Sequence, residues 1–147
     1  MKKCIFCILT VCLILLSGCS PFLEDAMTPM PKDEARQAAI TCFEEHKADM
    51  EDIIRSGKAM GETSWCYTYS KYSNGKCEFS LHRIGFTGKL TATGVLYMSD
   101  DAPASHGYVQ DEINPDVYRI ELENDIDKYL LERIEPNWFF FYYEYDF

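Results

Sequence analysis

The feature that most constrains the fold is an aromatic run near the end of the chain, where six aromatic residues follow one another from Trp138 to Tyr143. Successive side chains of a strand point to opposite faces, so this run places rings on both faces of a sheet. A strand that is apolar on both faces needs cover on both, which indicates a central position. Aromatic rows also bind sugars and extended peptides, but a small domain needs the buried area that these rings supply. We therefore predict a buried central strand.

A second pattern, between Lys32 and Ser56, predicts the longest helix of the chain. Mostly apolar residues recur there at spacings of three and four and form one stripe: Ala35, Ala39, Cys42, Phe43, His46, Met50, Ile53 and Ile54. Asp33 and Glu34 suit the positive N-terminal end of this helix. Gly57 is predicted to end it in the left-handed conformation.

Residues 63–72 and 76–84 are predicted to form two strands joined by Ser73-Asn74-Gly75. A two-residue loop would place the apolar residues of the two strands on opposite faces. A three-residue loop with Gly75 in the left-handed conformation places them all on one face. That face would hold Trp65, Tyr67, Tyr69, Cys77, Phe79 and Leu81. Because this register separates an apolar from a polar face, we predict the three-residue loop and dock the helix on the apolar face.

This register has consequences for the cysteines. It places Cys66 on the polar face, directly across from His82, and Cys77 on the apolar face, so Cys66 and Cys77 could not bridge. Cys42 and Cys77 both point into the helix–sheet interface and are the candidate pair for a disulfide, although free buried thiols are expected. Cys66 and His82 have the chemistry of a nucleophile and its base. Without an orienting third group, we interpret them as neighbours on a sheet surface.

Three further segments complete the predicted fold. Leu90 to Met98 is read as a third strand, and Val117 to Glu123 as a fourth. The following segment allows a short helix capped by Asn124, or a hairpin arm from Lys128 that turns at Pro136-Asn137. The expected fold class is α+β, with one long N-terminal helix packed on an antiparallel sheet of about four or five strands. This single domain is expected to cover residues 31–147.

The beginning of the chain has the pattern of an export signal. Lys2 and Lys3 precede a largely apolar run from Ile5 to Leu16. Twelve residues of helix would reach only about 18 Å, against about 30 Å for the hydrocarbon core of a bilayer. The run is therefore too short for a permanent membrane span and suits the hydrophobic region of a signal peptide.

The residues that end this run are Leu16-Ser17-Gly18-Cys19, and they resemble the lipobox of bacterial lipoproteins. The resemblance covers only the first nineteen residues. It implies cleavage between Gly18 and Cys19, so that residues 1–18 are the signal peptide, and a diacylglyceryl group on the thiol of Cys19. Several acyl chains give lasting membrane attachment where a single chain is marginal. Residues 19–30, rich in proline, would then form a short tether.

The implied location is outside the inner membrane. It would be the cell surface of a single-membrane host, and the periplasmic face or the outer membrane of a host with two membranes. The full chain carries 14 basic and 24 acidic residues, and loss of Lys2 and Lys3 leaves a formal charge of −12. A chain this acidic is repelled by phosphate backbones, so nucleic acid is not expected as a partner.

No cofactor or metal site is predicted. Ser105, His106 and Asp111 have the residue types of a catalytic triad, but they lack a strained nucleophile turn. Residues 123, 125 and 127 alternate as acidic residues, yet the glycine and the distal glutamate of a calcium loop are missing.

These patterns favour a non-catalytic binding or interaction module that is anchored through the lipid on Cys19. Its ligand would be an unidentified protein, peptide or glycan. A small inhibitor or protective protein that acts through an acidic face is the second hypothesis. A hydrolase is the third, and it would require His82, His106 or Cys66 to converge with carboxylates in one pocket.

Overall fold

The computed structural model describes residues 30–86, 89–120 and 128–146. The elements are the helix α1 (Lys32–Arg55), a 3₁₀ turn (Pro103–His106) and the strands β1 (Met60–Gly61), β2 (Thr68–Lys71), β3 (Lys76–Phe86), β4 (Lys89–Met98), β5 (Val109–Gln110), β6 (Val117–Ile120), β7 (Lys128–Glu135) and β8 (Trp138–Asp146). The predicted signal peptide, the predicted lipidation residue Cys19 and the predicted tether up to residue 29 lie outside the described residues. So do residues 121–127, with the end of the predicted fourth strand, Asn124 and the acidic alternation.

The predicted helix is confirmed, because α1 extends from Lys32 to Arg55. Its apolar stripe packs on the sheet. Four residues of the stripe are buried: Ala35, Ala39, Phe43 and Met50. The prediction for Gly57 is wrong, since the chain leaves the helix through Ser56 in an extended conformation, with no left-handed residue there. Lys71 of β2 explains the difference. Its Nζ donates to the carbonyl oxygen of Ile54 at 2.7 Å and also to that of Ser56, and so satisfies carbonyl groups at the helix end.

The β2–β3 hairpin confirms the three-residue loop. Lys71 pairs with Cys77, and Gly75 has a φ of +81°. Tyr69, Cys77 and Phe79 are buried on the side that faces α1. The register is therefore the one that separates the apolar from the polar side chains.

Before Thr68, the predicted side of Trp65 is correct, but the predicted sides of Cys66 and Tyr67 are wrong. Thr63 Oγ1 accepts the backbone N–H groups of Trp65 at 3.3 Å and Cys66 at 2.9 Å, which bends the chain ahead of β2. The alternation of a strand therefore does not apply to residues 62–67. Trp65 and Cys66 both pack towards α1, whereas Tyr67 is 63% exposed.

Within the described ranges the sheet has eight antiparallel strands in the order β1-β2-β3-β4-β8-β7-β6-β5, so the expectation of four or five strands is wrong. The two edge strands, β1 and β5, have only two residues each, which is too short for a recognisable alternation. Residues 128–135 form the hairpin arm rather than a helix. The arm turns at Pro136-Asn137, where Asn137 takes a left-handed φ of 70°.

Strand β8 is central, as predicted, because it lies between β4 and β7. Phe139, Phe140 and Phe141 are all fully buried. Phe140 belongs to the core beneath α1, on what we call the helix face of the sheet. Phe139 and Phe141 belong to a second core on the distal face, with Leu96, Leu131 and Tyr118. The aromatic run therefore supplies both cores.

Candidate functional site

The Cys66–His82 pair is not assembled. Cys66 is 4% exposed within the helix-face core, whereas His82 is an exposed residue of β3. The bend at Thr63 separates the two side chains, because it turns Cys66 towards α1. The structure therefore does not bring this predicted nucleophile and base together.

Ser105, His106 and Asp111 do not form a relay either. Ser105 Oγ lies 3.0 Å from Asp100 Oδ2, and His106 Nε2 lies 3.0 Å from the same oxygen. Asp111 instead accepts the backbone N–H groups of Ile113 and Asn114, each at 3.0 Å. The serine and the histidine thus share one carboxylate that organises the loop after β4.

No group of three or more histidine, cysteine or carboxylate side chains within the described ranges is arranged to hold a metal ion. In the same ranges, no helix has the length and the apolar character that crossing a membrane requires.

An open groove of about 520 Å³ runs between α1 and Trp65. We call it the Trp65 groove. Besides Trp65, it is lined by residues of one side of the helix: Glu34, Ala38, Thr41, Cys42, Glu45 and His46. The helix period places residues 34, 38, 41 and 45 on one side, and the Thr63 turn brings Trp65 against that side.

The aromatic part of the groove is a stacked pair. The rings of Trp65 and His46 are nearly parallel, with centroids 4.9 Å apart. Trp65 also packs on Phe79 of the core, at a centroid distance of 5.9 Å. His46 Nδ1 lies 3.4 Å from Asp49 Oδ2, which orients the imidazole. The indole is therefore positioned from several sides, although it stays partly exposed.

The charges around the groove are one-sided. Among the residues that the structure describes, the charged ones that line it are Glu34 and Glu45, and no lysine or arginine does. The basic residues of this part of α1 point to the opposite side of the helix. Arg36 Nε donates to Glu132 Oε1 at 2.7 Å, and Lys47 pairs with Glu135, both carboxylates being on β7. The groove therefore combines an aromatic surface with two carboxylates, of which Glu45 lies 4.0 Å from His46 Nε2.

The three cysteines of the described part are free thiols that lie close to the groove or beneath it. Burial raises the pKa of Cys42 to about 11 and that of Cys77 to about 12. Burial also raises the pKa of Cys66, although hydrogen bonds from Thr63 oppose the change. Neutral thiols are poor nucleophiles, so Cys42 forms an apolar part of the groove wall, and only its small thiolate fraction can react.

A second cluster of polar side chains lies on the distal face around Glu78. Glu78 Oε1 accepts a hydrogen bond from Ser80 Oγ at 2.9 Å, and Tyr72 Oη lies 3.5 Å from Oε2. Tyr108 and Tyr143 share a hydrogen bond. Burial, reinforced by the charge of Glu78, raises the pKa of Tyr143 well above its usual value. Tyr108 and Tyr143 form part of the second core, so we interpret the cluster as structural.

Comparison of the chain with protein-family models, curated proteins and solved structures finds no match. Its candidate sites are therefore judged by their own geometry and chemistry.

The Trp65 groove is the site that the sequence did not reveal. Trp65 is expected from its alternation to lie within the sheet, and Cys42 belongs to the buried stripe of α1. The available signal was Thr63, whose hydroxyl can accept backbone N–H groups two and three residues further on. That turn converts the end of a predicted strand into the wall of a groove.

Proposed function

We propose that this chain is a membrane-anchored binding module whose Trp65 groove takes a cationic, partly apolar segment of another molecule. The observation that supports this proposal most directly is the unequal distribution of charge on the two sides of α1. Arg36 and Lys47 are engaged with β7, which leaves Glu34 and Glu45 beside the indole of Trp65. A partner with lysine or arginine next to an apolar side chain complements both features.

The chemistry of the groove supports a partner of this kind. A cation close to an indole face is attracted by the ring quadrupole, and the nearby carboxylates add to that attraction. Aromatic anchors in partly desolvated sites contribute most of the energy of many interfaces. Trp65 is the residue that fits this role, because it is held by His46 and Phe79 before any partner binds.

A peptide-binding measurement tests the groove. A short synthetic peptide of alternating lysine and leucine should bind the full chain in detergent, whereas a peptide of alternating glutamate and leucine should not. Trp65→Ala should weaken binding about tenfold, as expected for the loss of an aromatic anchor. The matched control is Tyr67→Ala, which removes an aromatic residue that is 63% exposed and does not line the groove.

The large negative charge of the chain makes a second control necessary. Glu34→Gln combined with Glu45→Gln removes two charges from the groove. Glu44→Gln combined with Glu51→Gln removes two charges from other positions of α1. The proposal requires the first pair to weaken binding more than the second. Equal losses of affinity would show that the peptide responds to the net charge of the chain rather than to the groove.

The membrane anchor is the second part of the proposal and rests on Leu16-Ser17-Gly18-Cys19. Mass spectrometry of the mature N-terminus should find a lipidated Cys19 as the first residue. Cys19→Ser should release the protein from the envelope fraction, because serine offers no thiol for the diacylglyceryl group. An intact Met1, or unchanged fractionation of the variant, would refute the anchor while leaving the groove untouched.

A small inhibitor or protective protein is the second candidate function. The observation in its favour is a row of exposed carboxylates along α1: Glu34, Glu45, Asp49 and Asp52. Crosslinking in membranes should then capture a basic protein whose activity falls on binding. Neutralising these four carboxylates should abolish capture, whereas Trp65→Ala should leave it intact, which is the opposite of the result expected for the groove.

A further inference from the structure

The cysteines beside the Trp65 groove lie together in a way that neither the register of the hairpin nor the spacing of the sequence predicts. Cys42 Sγ lies 4.0 Å from the carbonyl oxygen of Trp65. That carbonyl carbon is bonded to the amide nitrogen of Cys66. The thiol of the helix therefore reaches the peptide unit that immediately precedes the second cysteine.

Charge effects agree with this proximity. Burial raises the pKa of Cys42 and that of Cys77, and the charge of Cys66 raises both further. The three cysteines belong to the helix-face core, and the contact of Cys42 with the Trp65 carbonyl selects Cys42 as the partner of Cys66.

Access distinguishes Cys42 from Cys77. Cys42 is half-buried and lines the open groove, so it is the more accessible of these two thiols. Cys77 is 2% exposed within the core and does not line the groove. We propose that Cys42 and Cys66 are a redox pair that forms a disulfide across the base of the Trp65 groove.

The oxidant is a protein or small-molecule disulfide. The Cys42 thiolate attacks one sulfur of that disulfide, which releases the other sulfur as a thiolate and leaves a mixed disulfide on Cys42. The Cys66 thiolate then attacks the Cys42 sulfur and releases the second half of the oxidant. Two protons leave the cysteines, and the two electrons reduce the oxidant to two thiols. Thr63 Oγ1, 3.3 Å from Cys66 Sγ, stabilises the attacking thiolate.

The bridge would have a consequence for the groove, and this part rests on the proposed function. Trp65 is adjacent to Cys66 in the chain, and His46 lies one helical turn after Cys42. A covalent link between the two cysteines would therefore hold the stacked Trp65 and His46 rings in place before a partner binds. Preorganisation of this kind raises affinity by reducing the entropy lost on binding.

Disulfide mapping tests the pair directly. The full chain is denatured, reduced and refolded in detergent with excess glutathione disulfide, so that burial of the thiols does not limit the reaction. Alkylation, proteolysis without reductant and mass spectrometry should then identify a Cys42–Cys66 crosslink and a free Cys77. Cys77→Ala should still form the crosslink, and Cys66→Ala should leave Cys42 free or glutathionylated. A Cys66–Cys77 crosslink, or the absence of any crosslink, would overturn the proposal.

Peptide affinity then tests the consequence separately. The oxidised protein should bind the lysine–leucine peptide about three- to tenfold more tightly than the reduced protein. Cys42→Ala should bind equally under both conditions. A mapped crosslink without any peptide binding would refute the groove as a binding site but not the redox pair, so the two failures are distinguishable.

Discussion

The two flanks of helix α1 face the same sheet and are built differently. On the flank towards β7, Arg36 and Lys47 pair with Glu132 and Glu135, so charge is neutralised between the helix and the strand. On the flank towards Trp65 the described residues form no ion pair between the helix and a strand. The carboxylates of Glu34 and Glu45 line an open groove there, and Glu45 lies 4.0 Å from His46 of the same helix. Ion pairs between α1 and β7 thus close the β7 flank. The Trp65 flank keeps an open surface with two carboxylates, which suits the cationic segment that we propose as its partner.

The comparison teaches that one helix can be structural on one side and available for recognition on the other. What holds the helix is neither flank but the buried stripe between them. Phe43 packs against Trp138 with ring centroids 5.0 Å apart, and Met50 is fully buried. Partly exposed ion pairs contribute far less than burial of this kind. The flanks can therefore differ without loss of the fold.

The largest expected effect on stability comes from truncating a buried side chain of the apolar stripe. Phe43→Ala should reduce the free energy of unfolding by about 3–5 kcal/mol, because it removes a buried ring and leaves a cavity. Urea denaturation measures the change, and Thr41→Ala, at an exposed position on the same helix, is the control. A loss for Phe43→Ala as small as that of the control would show that the flanks, not the stripe, hold α1.

The second-largest effect on stability is expected at alkaline pH and arises on the Trp65 flank. Cys42 has its pKa raised from 9.0 to about 11, so above pH 9 the unfolded chain loses a proton that the native protein keeps. The free energy of unfolding of the reduced protein should therefore fall as the pH rises from 9 towards 11. Cys42→Ala should show a shallower decrease in urea titrations over this range. Equal slopes would mean that the groove flank does not protect its thiol.

The smallest effect is expected on the β7 flank. Glu132→Gln and Glu135→Gln should each cost about 0.2–1 kcal/mol of unfolding free energy, because these ion pairs are partly exposed and screened by water. High salt should reduce both losses. Neither variant should alter binding of the lysine–leucine peptide, with Glu44→Gln as the stability control. Weakened binding in either variant would contradict the separation of the two flanks.

Much of the fold was predictable where the patterns are long. The span of α1, the register set by Gly75 and the central position of β8 all follow from periodicity over many residues. The number of strands was underestimated, since β1 and β5 contribute two residues each and have no periodic signal. Residues 128–135 fitted a helix as well as a strand. The turn at Pro136-Asn137 and the pairing with β8 decided for the strand.

The candidate site was not predictable for a related reason. Single side chains create it: Thr63 turns the chain ahead of β2, and the charges of α1 divide according to which carboxylates β7 offers. Such choices depend on residues far apart in the sequence, as the pairing of Arg36 with Glu132 illustrates.

The sequence by itself determined the acidic character, the α+β class and the burial of the aromatic run, because charge, periodicity and apolar area are properties of the residues in order. Only the tertiary structure decided that Cys66 turns towards the helix beside Trp65 and that Cys42 reaches the carbonyl oxygen of Trp65. It also decided that one flank of α1 keeps its negative charge. The physical reason is that these features arise from contacts between separate segments, whose energies exist only once the chain has folded.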